Sequence, residues 1–173
     1  MKITFHSLAV VAMIALAGAT ACLAKAPVNA KDAFNKLKTL AGDWRGTVDQ
    51  KGTGQEITVN YRTTSNGSVL METLFAGTDH EMVTLYHLEG DQLVLVHYCA
   101  MGNQPKMALT QASTADQLEF DFVGGTNVKP KTDTHMHSGR IQFEGKDAVI
   151  AEWDTYQQGK KTGGHKFFLT RKT

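Results

Sequence analysis

The residues best suited to chemistry in this chain are its histidines. Outside the first thirty residues they are His80, His87, His97, His135, His137 and His165. An imidazole can accept or donate a hydrogen bond, ligate a metal or carry a proton near neutral pH. Residues that alternate along a strand share a face. Leu93, Leu95, His97, Cys99 and Met101 form one such set, His137, Ile141 and Phe143 a second, and His165, Phe167 and Leu169 a third. Each set is largely apolar, so His97, His137 and His165 are expected to face an interior. His135 shares parity with His137 but lies nearer a strand end, and the face of His87 is ambiguous. Tyr61, Glu72 and Tyr86 are expected to join this patch as orienting groups, and Trp153, between the small Ala151 and Thr155, lies beside a ligand gap or is simply packed in the core. The same reading lines the interior with Met71, Met101, Met107 and Phe167. Methionine suits an adaptable apolar site because its thioether is flexible and polarisable.

Three kinds of chemistry fit these residues. A small apolar or amphipathic molecule could be bound in an apolar cavity and oriented by a few polar groups. The pair His135-x-His137 places two imidazoles on one strand face, which tetrahedral zinc would need. A single interior histidine could also ligate haem iron. Cys99, two residues from His97, has the spacing of a Cys–His nucleophile, although free cysteine is among the most buried residue types. No G-x-S-x-G elbow surrounds Ser138. The Gly52-Thr53-Gly54 turn lacks the lysine and helix of a phosphate-binding loop. No catalytic residue set emerges, and the reading favours a non-enzyme.

The elements that must position these groups are mostly strands. Residues 31–41 are expected to form a short helix, with Asp32 at its start, Phe34, Leu37, Leu40 and Ala41 on one face, and Gly42 at its end. Beyond Gly42 the apolar pattern changes to strict alternation, as in Ile57, Val59 and Tyr61 against Glu56, Thr58 and Asn60. Strands are expected at about 43–50, 55–64, 68–76, 81–89, 92–101, 105–112, 117–123, 135–144, 147–157 and 163–171. Turn signals such as Asn66-Gly67, Gly90-Asp91, Gly145-Lys146 and Gly159-Lys160 separate them. Short turns make consecutive strands antiparallel neighbours. About ten strands in succession should curl and close. The expected fold is all-β: an antiparallel up-and-down β-barrel of about ten strands, preceded by a short N-terminal helix. The one long connection runs from Gly124 to Thr134, either a slack crossover at the rim or a cover for a ligand.

Composition narrows the partners. The 173-residue chain has a formal charge of +1, without the basic excess of nucleic-acid binders. Residues 1–30 read as a signal peptide. Lys2 precedes an uncharged apolar stretch that runs to Lys25. Cleavage fits Ala24-Lys25-Ala26 or Val28-Asn29-Ala30. Ala19-Thr20-Ala21-Cys22 offers an alternative, a lipoprotein anchored through Cys22. The domain 31–173 would then be periplasmic or secreted. Lys2 and Lys25 are the charged residues of the leader, so 16 basic and 17 acidic groups remain without it. No membrane partner is expected unless Cys22 is lipidated.

A short helix leading into Gly42-Asp43-Trp44, with Arg171 on the last strand, resembles the calycin signature of lipocalins and related barrels. In that family the tryptophan closes the barrel base and the arginine packs on it, so Trp44 and Arg171 are implied to be structural. The segments Thr73-Leu74-Phe75, His80-Glu81-Met82-Val83-Thr84, His97-Tyr98-Cys99, Gly102-Asn103-Gln104-Pro105 and His135-Met136-His137 resemble a family of exported bacterial proteins, a domain of unknown function. The calycin likeness implies an exported small-molecule-binding barrel. Some exported calycins bind zinc, and nitrobindin-type barrels hold haem through a histidine on the last strand, where His165 lies. An envelope interaction module with a filled barrel is the third alternative.

Overall fold

The computed structural model describes residues 25–49 and 52–173. Most of the expected leader, Cys22 included, lies outside the described residues. Helix α1 spans Ala30–Lys38. Ten strands follow: β1 (Gly42–Val48), β2 (Gln55–Thr64), β3 (Val69–Leu74), β4 (Met82–Glu89), β5 (Gln92–Tyr98), β6 (Gln104–Leu109), β7 (Gln117–Thr126), β8 (His135–Phe143), β9 (Ala148–Gln157) and β10 (Lys160–Arg171). Each pairs antiparallel with its sequence neighbours, and β1 pairs with β10, so the sheet closes into a barrel. Among the described residues no helix is long and apolar enough to cross a membrane.

The helix begins at Ala30, one residue before the expected start, and its cap lies three residues before the expected one. Asn29, rather than Asp32, is the cap, and its side chain accepts a hydrogen bond from the Asp32 amide. Such a cap satisfies one of the amides that the first helical turn leaves open. The apolar stripe Ala33, Phe34 and Leu37 is buried and joins the core with Trp44, Leu93 and Phe143. The helix therefore stoppers one end of the barrel. Strand ends also shift. A turn in which the Gly102 amide bonds the Cys99 carbonyl stops β5 at Tyr98. Strand β7 runs on to Thr126 through Gly124 and Gly125, whose φ values of 150° and 158° only glycine holds without strain.

Trp44 and Arg171 meet at the stoppered end. Trp44 is fully buried and donates its indole N–H to the Leu40 carbonyl at 2.7 Å. The Arg171 guanidinium lies 4.5 Å over the indole. It also bonds the Ala41 and Thr39 carbonyls at 2.9 and 2.8 Å and the Asp147 carboxylate at 3.1 Å. One planar fork thus ties β10 to the exit of α1 and to the β8–β9 turn. An ammonium cannot reproduce that fork. Arg171→Lys is expected to lower stability by about 1–3 kcal/mol, measured by urea unfolding. An unchanged midpoint would mean that the fork contributes nothing.

Candidate functional site

The lumen has two levels. Tyr61 on β2, Glu72 on β3 and Tyr86 on β4 face inward from adjacent strands, in register at Tyr61↔Glu72 and Glu72↔Thr84. All three side chains are buried. The Tyr61 hydroxyl donates to Glu72 Oε1 and the Tyr86 hydroxyl to Glu72 Oε2, each at 2.8 Å. Thr84 lies opposite Glu72 on the next strand, and its hydroxyl, like those of Tyr61 and Tyr86, favours the ionised carboxyl. Burial raises the Glu72 pKa, against the pull of the three hydroxyls. Burial, then the neighbouring Glu72 charge, pushes both phenols well above their ordinary value, so they remain donors. Trp44 meets Tyr61 edge-on beneath this layer.

Above it, Thr84 Oγ1 lies 3.0 Å from Nδ1 of His97. His97 is 4% exposed, and its Nε2 is shielded with no partner among the described residues. Burial pushes its pKa down to about 4, so the ring is neutral at physiological pH. The Trp153 indole lies near-parallel to it, with ring centroids 6.2 Å apart. Trp153 fits because Gly139 sits beneath it: a Cβ there would come within 2.4 Å of the indole.

His97 and Trp153 line a cavity of about 920 Å³ at the end opposite the helix. Its other walls include Leu74, Phe75, Met82, Met101, Met136 and Phe167. Cys99 lines it too, but burial raises the thiol's pKa, which disfavours the nucleophilic thiolate. His165 sits at the rim, 61% exposed, with Nδ1 3.1 Å from the Asp49 carboxylate. The Lys166 amide, more than His165, holds the Asp49 pKa below its usual range.

His137 is not where alternation puts it. A bulge between Met136 and Ser138 inserts one residue in β8. Met136 pairs with Thr155 and lines the cavity, while His137 turns aside. Its ring stacks on Tyr156 at 4.0 Å and on Phe122 at 5.2 Å, and its Nε2 lies 3.8 Å from Asp121. Burial lowers its pKa, partly offset by Asp121. His135 is buried beside it, Nδ1 2.9 Å from the Asp133 carbonyl and Nε2 3.0 Å from His137 Nδ1. A carbonyl only accepts, so His135 carries its proton on Nδ1 and receives the His137 N–H. Among the described residues no three His, Cys, Asp or Glu side chains are placed to hold a metal ion. His87, the ambiguous one, bonds Glu89 and does not line the cavity.

Of the three methionines expected in the lining, one is there. Met101 lines the cavity, Met107 is buried outside its lining, and Met71 contacts Arg62 across the opposite strand face. No residue of 124–134 lines the cavity. Sequence reading left open whether Met82, Thr84 and Tyr86 or Val83, Leu85 and His87 face inward, and it missed Met136.

No family model matches the chain, and no curated protein matches it. The structure resembles the crystal structure of a protein of unknown function from the DUF3598 family of Nostoc punctiforme, with a TM-score of 0.54 at 14% identity. The match covers 91% of this chain and 53% of that one, so this chain spans about half the length of that protein. The likeness is one of fold.

Proposed function

We propose that the chain is an exported, calycin-type barrel that binds a small apolar or amphipathic molecule. The observation that carries this reading is the cavity of about 920 Å³, walled largely by apolar and thioether side chains, with His97 among its few polar groups. A mostly apolar hollow with few polar groups is the usual character of a small-molecule site. The free volume speaks against a filled barrel acting only as an interaction module. The calycin assignment is supported by Arg171 lying over the buried Trp44. The neutral fluorophore N-phenyl-1-naphthylamine should bind the protein and light up. Phe167→Arg, which puts a charge into the cavity wall, should reduce that binding at least tenfold, since an unpaired charge there is strongly disfavoured. Undiminished binding would place the site elsewhere.

Export is part of the same proposal, and the segment before α1 bears on where a leader would be cut. Pro27 bridges to Thr114, the Val28 amide bonds the Ser113 carbonyl at 3.0 Å, and Asn29 caps the helix. A cut after Ala30 would discard all three contacts. Amino-terminal sequencing of the exported protein should therefore find a first residue no later than Pro27. A start at Lys31 would show that these contacts are dispensable.

A further inference from the structure

We propose that the cavity selects cationic over anionic amphiphiles: the apolar body of the ligand enters the barrel, and an ammonium head stays at the mouth beside the Asp49 carboxylate. The inference rests on the reading of the cavity as a ligand site and names the class of molecule it takes.

The charge of the lining points to this class. Among the described residues that line the cavity there is no lysine, arginine or glutamate, and Asp49 is the one carboxylate. An anionic head at this mouth finds a like charge and no cation, whereas an ammonium head finds an opposite charge. The wall below works in the same sense. Phe75, Trp153 and Phe167 line the cavity, and the electron-rich face of an aromatic ring attracts a cation. The lysines on the neighbouring outer wall are balanced where they stand: Lys161 pairs with Asp154 and Lys166 with Glu152, each at 2.6 Å. Lys129 and Lys131 belong to the β7–β8 connection, which adds nothing to the lining.

The carboxylate is also fixed in position. Asp49 follows β1 with a φ of 63°, a left-handed conformation that Asp and Asn tolerate better than other side chains. Its amide donates to the Lys166 carbonyl at 2.6 Å, and the Lys166 amide donates back to Oδ1 at 3.0 Å. Oδ2 lies 3.1 Å from His165 Nδ1. The Lys166 amide bond, first among these, holds the carboxyl below its usual range, so it is ionised at neutral pH. These contacts leave other lone pairs of the carboxylate free, and the side chain is 54% exposed. Val48, the residue before it, lies opposite Phe167, and His165 lies opposite Trp153. The charge therefore stands just above the layer of Phe167 and Trp153, where the head of a ligand seated on those rings would emerge.

Three probes of matched chain length test this on the purified protein: decyltrimethylammonium, decanoate and decanol. Each is kept below its micelle concentration and read by displacement of N-phenyl-1-naphthylamine. The pH is held well above the ordinary imidazole value of about 6.5, so that histidine charge does not enter. The wild type should hold the ammonium probe roughly tenfold more tightly than decanoate, the scale of reversing one charge near a rim carboxylate and aromatic rings. Added salt should weaken the ammonium probe relative to decanol. Asp49→Asn keeps an acceptor for the Lys166 amide and suits the same backbone. It should cut the ammonium-to-decanoate ratio by roughly threefold or more and leave decanol unchanged. Decanoate binding as tightly as the ammonium probe, or a ratio that Asp49→Asn does not alter, overturns the inference and leaves the cavity as a binding site. Should the variant fail to fold, the salt series on wild type decides, and parallel salt dependence of ammonium and decanol overturns it. Failure of all three probes to bind overturns the ligand-site reading and the selectivity with it.

Discussion

Glu72→Leu should destabilise the barrel by about 2–6 kcal/mol, because it strands two buried phenol hydroxyls that each cost about 1–3 kcal/mol without a partner. Tyr61 and Tyr86 are both almost inaccessible, at 2% and 0% exposure, so water cannot replace the carboxylate. The effect should belong to the unpaired hydroxyls rather than to lost attraction. The triple variant Tyr61→Phe, Glu72→Leu, Tyr86→Phe removes donors and acceptor together. It should recover most of the loss, since exchanging a buried polar cluster for apolar groups is often close to neutral. Urea unfolding at neutral pH gives both numbers. A single variant as stable as wild type, or a triple variant no better than the single, would contradict this account. Such a result would mean that the cluster does not hold the three strands together as described.

His97→Gln should flatten the acid limb of the stability profile by about 3 kcal/mol between pH 6.5 and pH 4. The ring's folded pKa is near 4, below its ordinary 6.5. Between those values the unfolded chain binds a proton that the folded barrel refuses. Stability from this residue is therefore present above pH 6.5 and lost as pH falls toward 4. Glu72 works in the opposite direction. Its folded pKa is raised from 4.5, so its contribution falls as pH rises from that value through the raised one. His137, with a lowered pKa, adds to the acid loss. Subtracting the His97→Gln profile from the wild-type profile isolates His97 from both. A difference curve without slope across this range would show that the imidazole protonates in place, in a site more open than its surroundings suggest.

The barrel was largely legible because alternation survives in nearly every strand. Ile57, Val59 and Tyr61 fall inward as their spacing requires, and Trp44 and Arg171 meet although 126 residues separate them. The site was legible less evenly. His97 and Trp153 follow from parity, and both line the cavity. His137 does not, because one inserted residue at the β8 bulge reverses which neighbour faces in. Nothing in Met136-His137-Ser138 marks that insertion, since it is set by pairing with β9. The Tyr61, Glu72 and Tyr86 cluster was expected to orient a ligand directly. It instead lies below the cavity, out of its lining. Strand parity says which way a residue points, but depth along the barrel depends on the stagger between strands.

The pairing of β1 with β10 also governs when the molecule can fold. Trp44 lies opposite Arg171 and Val48 opposite Phe167, so the seam joins segments separated by most of the barrel's length. Every other pairing between these strands joins neighbours in sequence and can form as the chain emerges. The seam cannot form until residues 160–171 have been made, and it closes the longest loop in the molecule, which slows the final step. Until then β1 and the growing edge strand both show unpaired backbone, a state open to translocation and to aggregation alike.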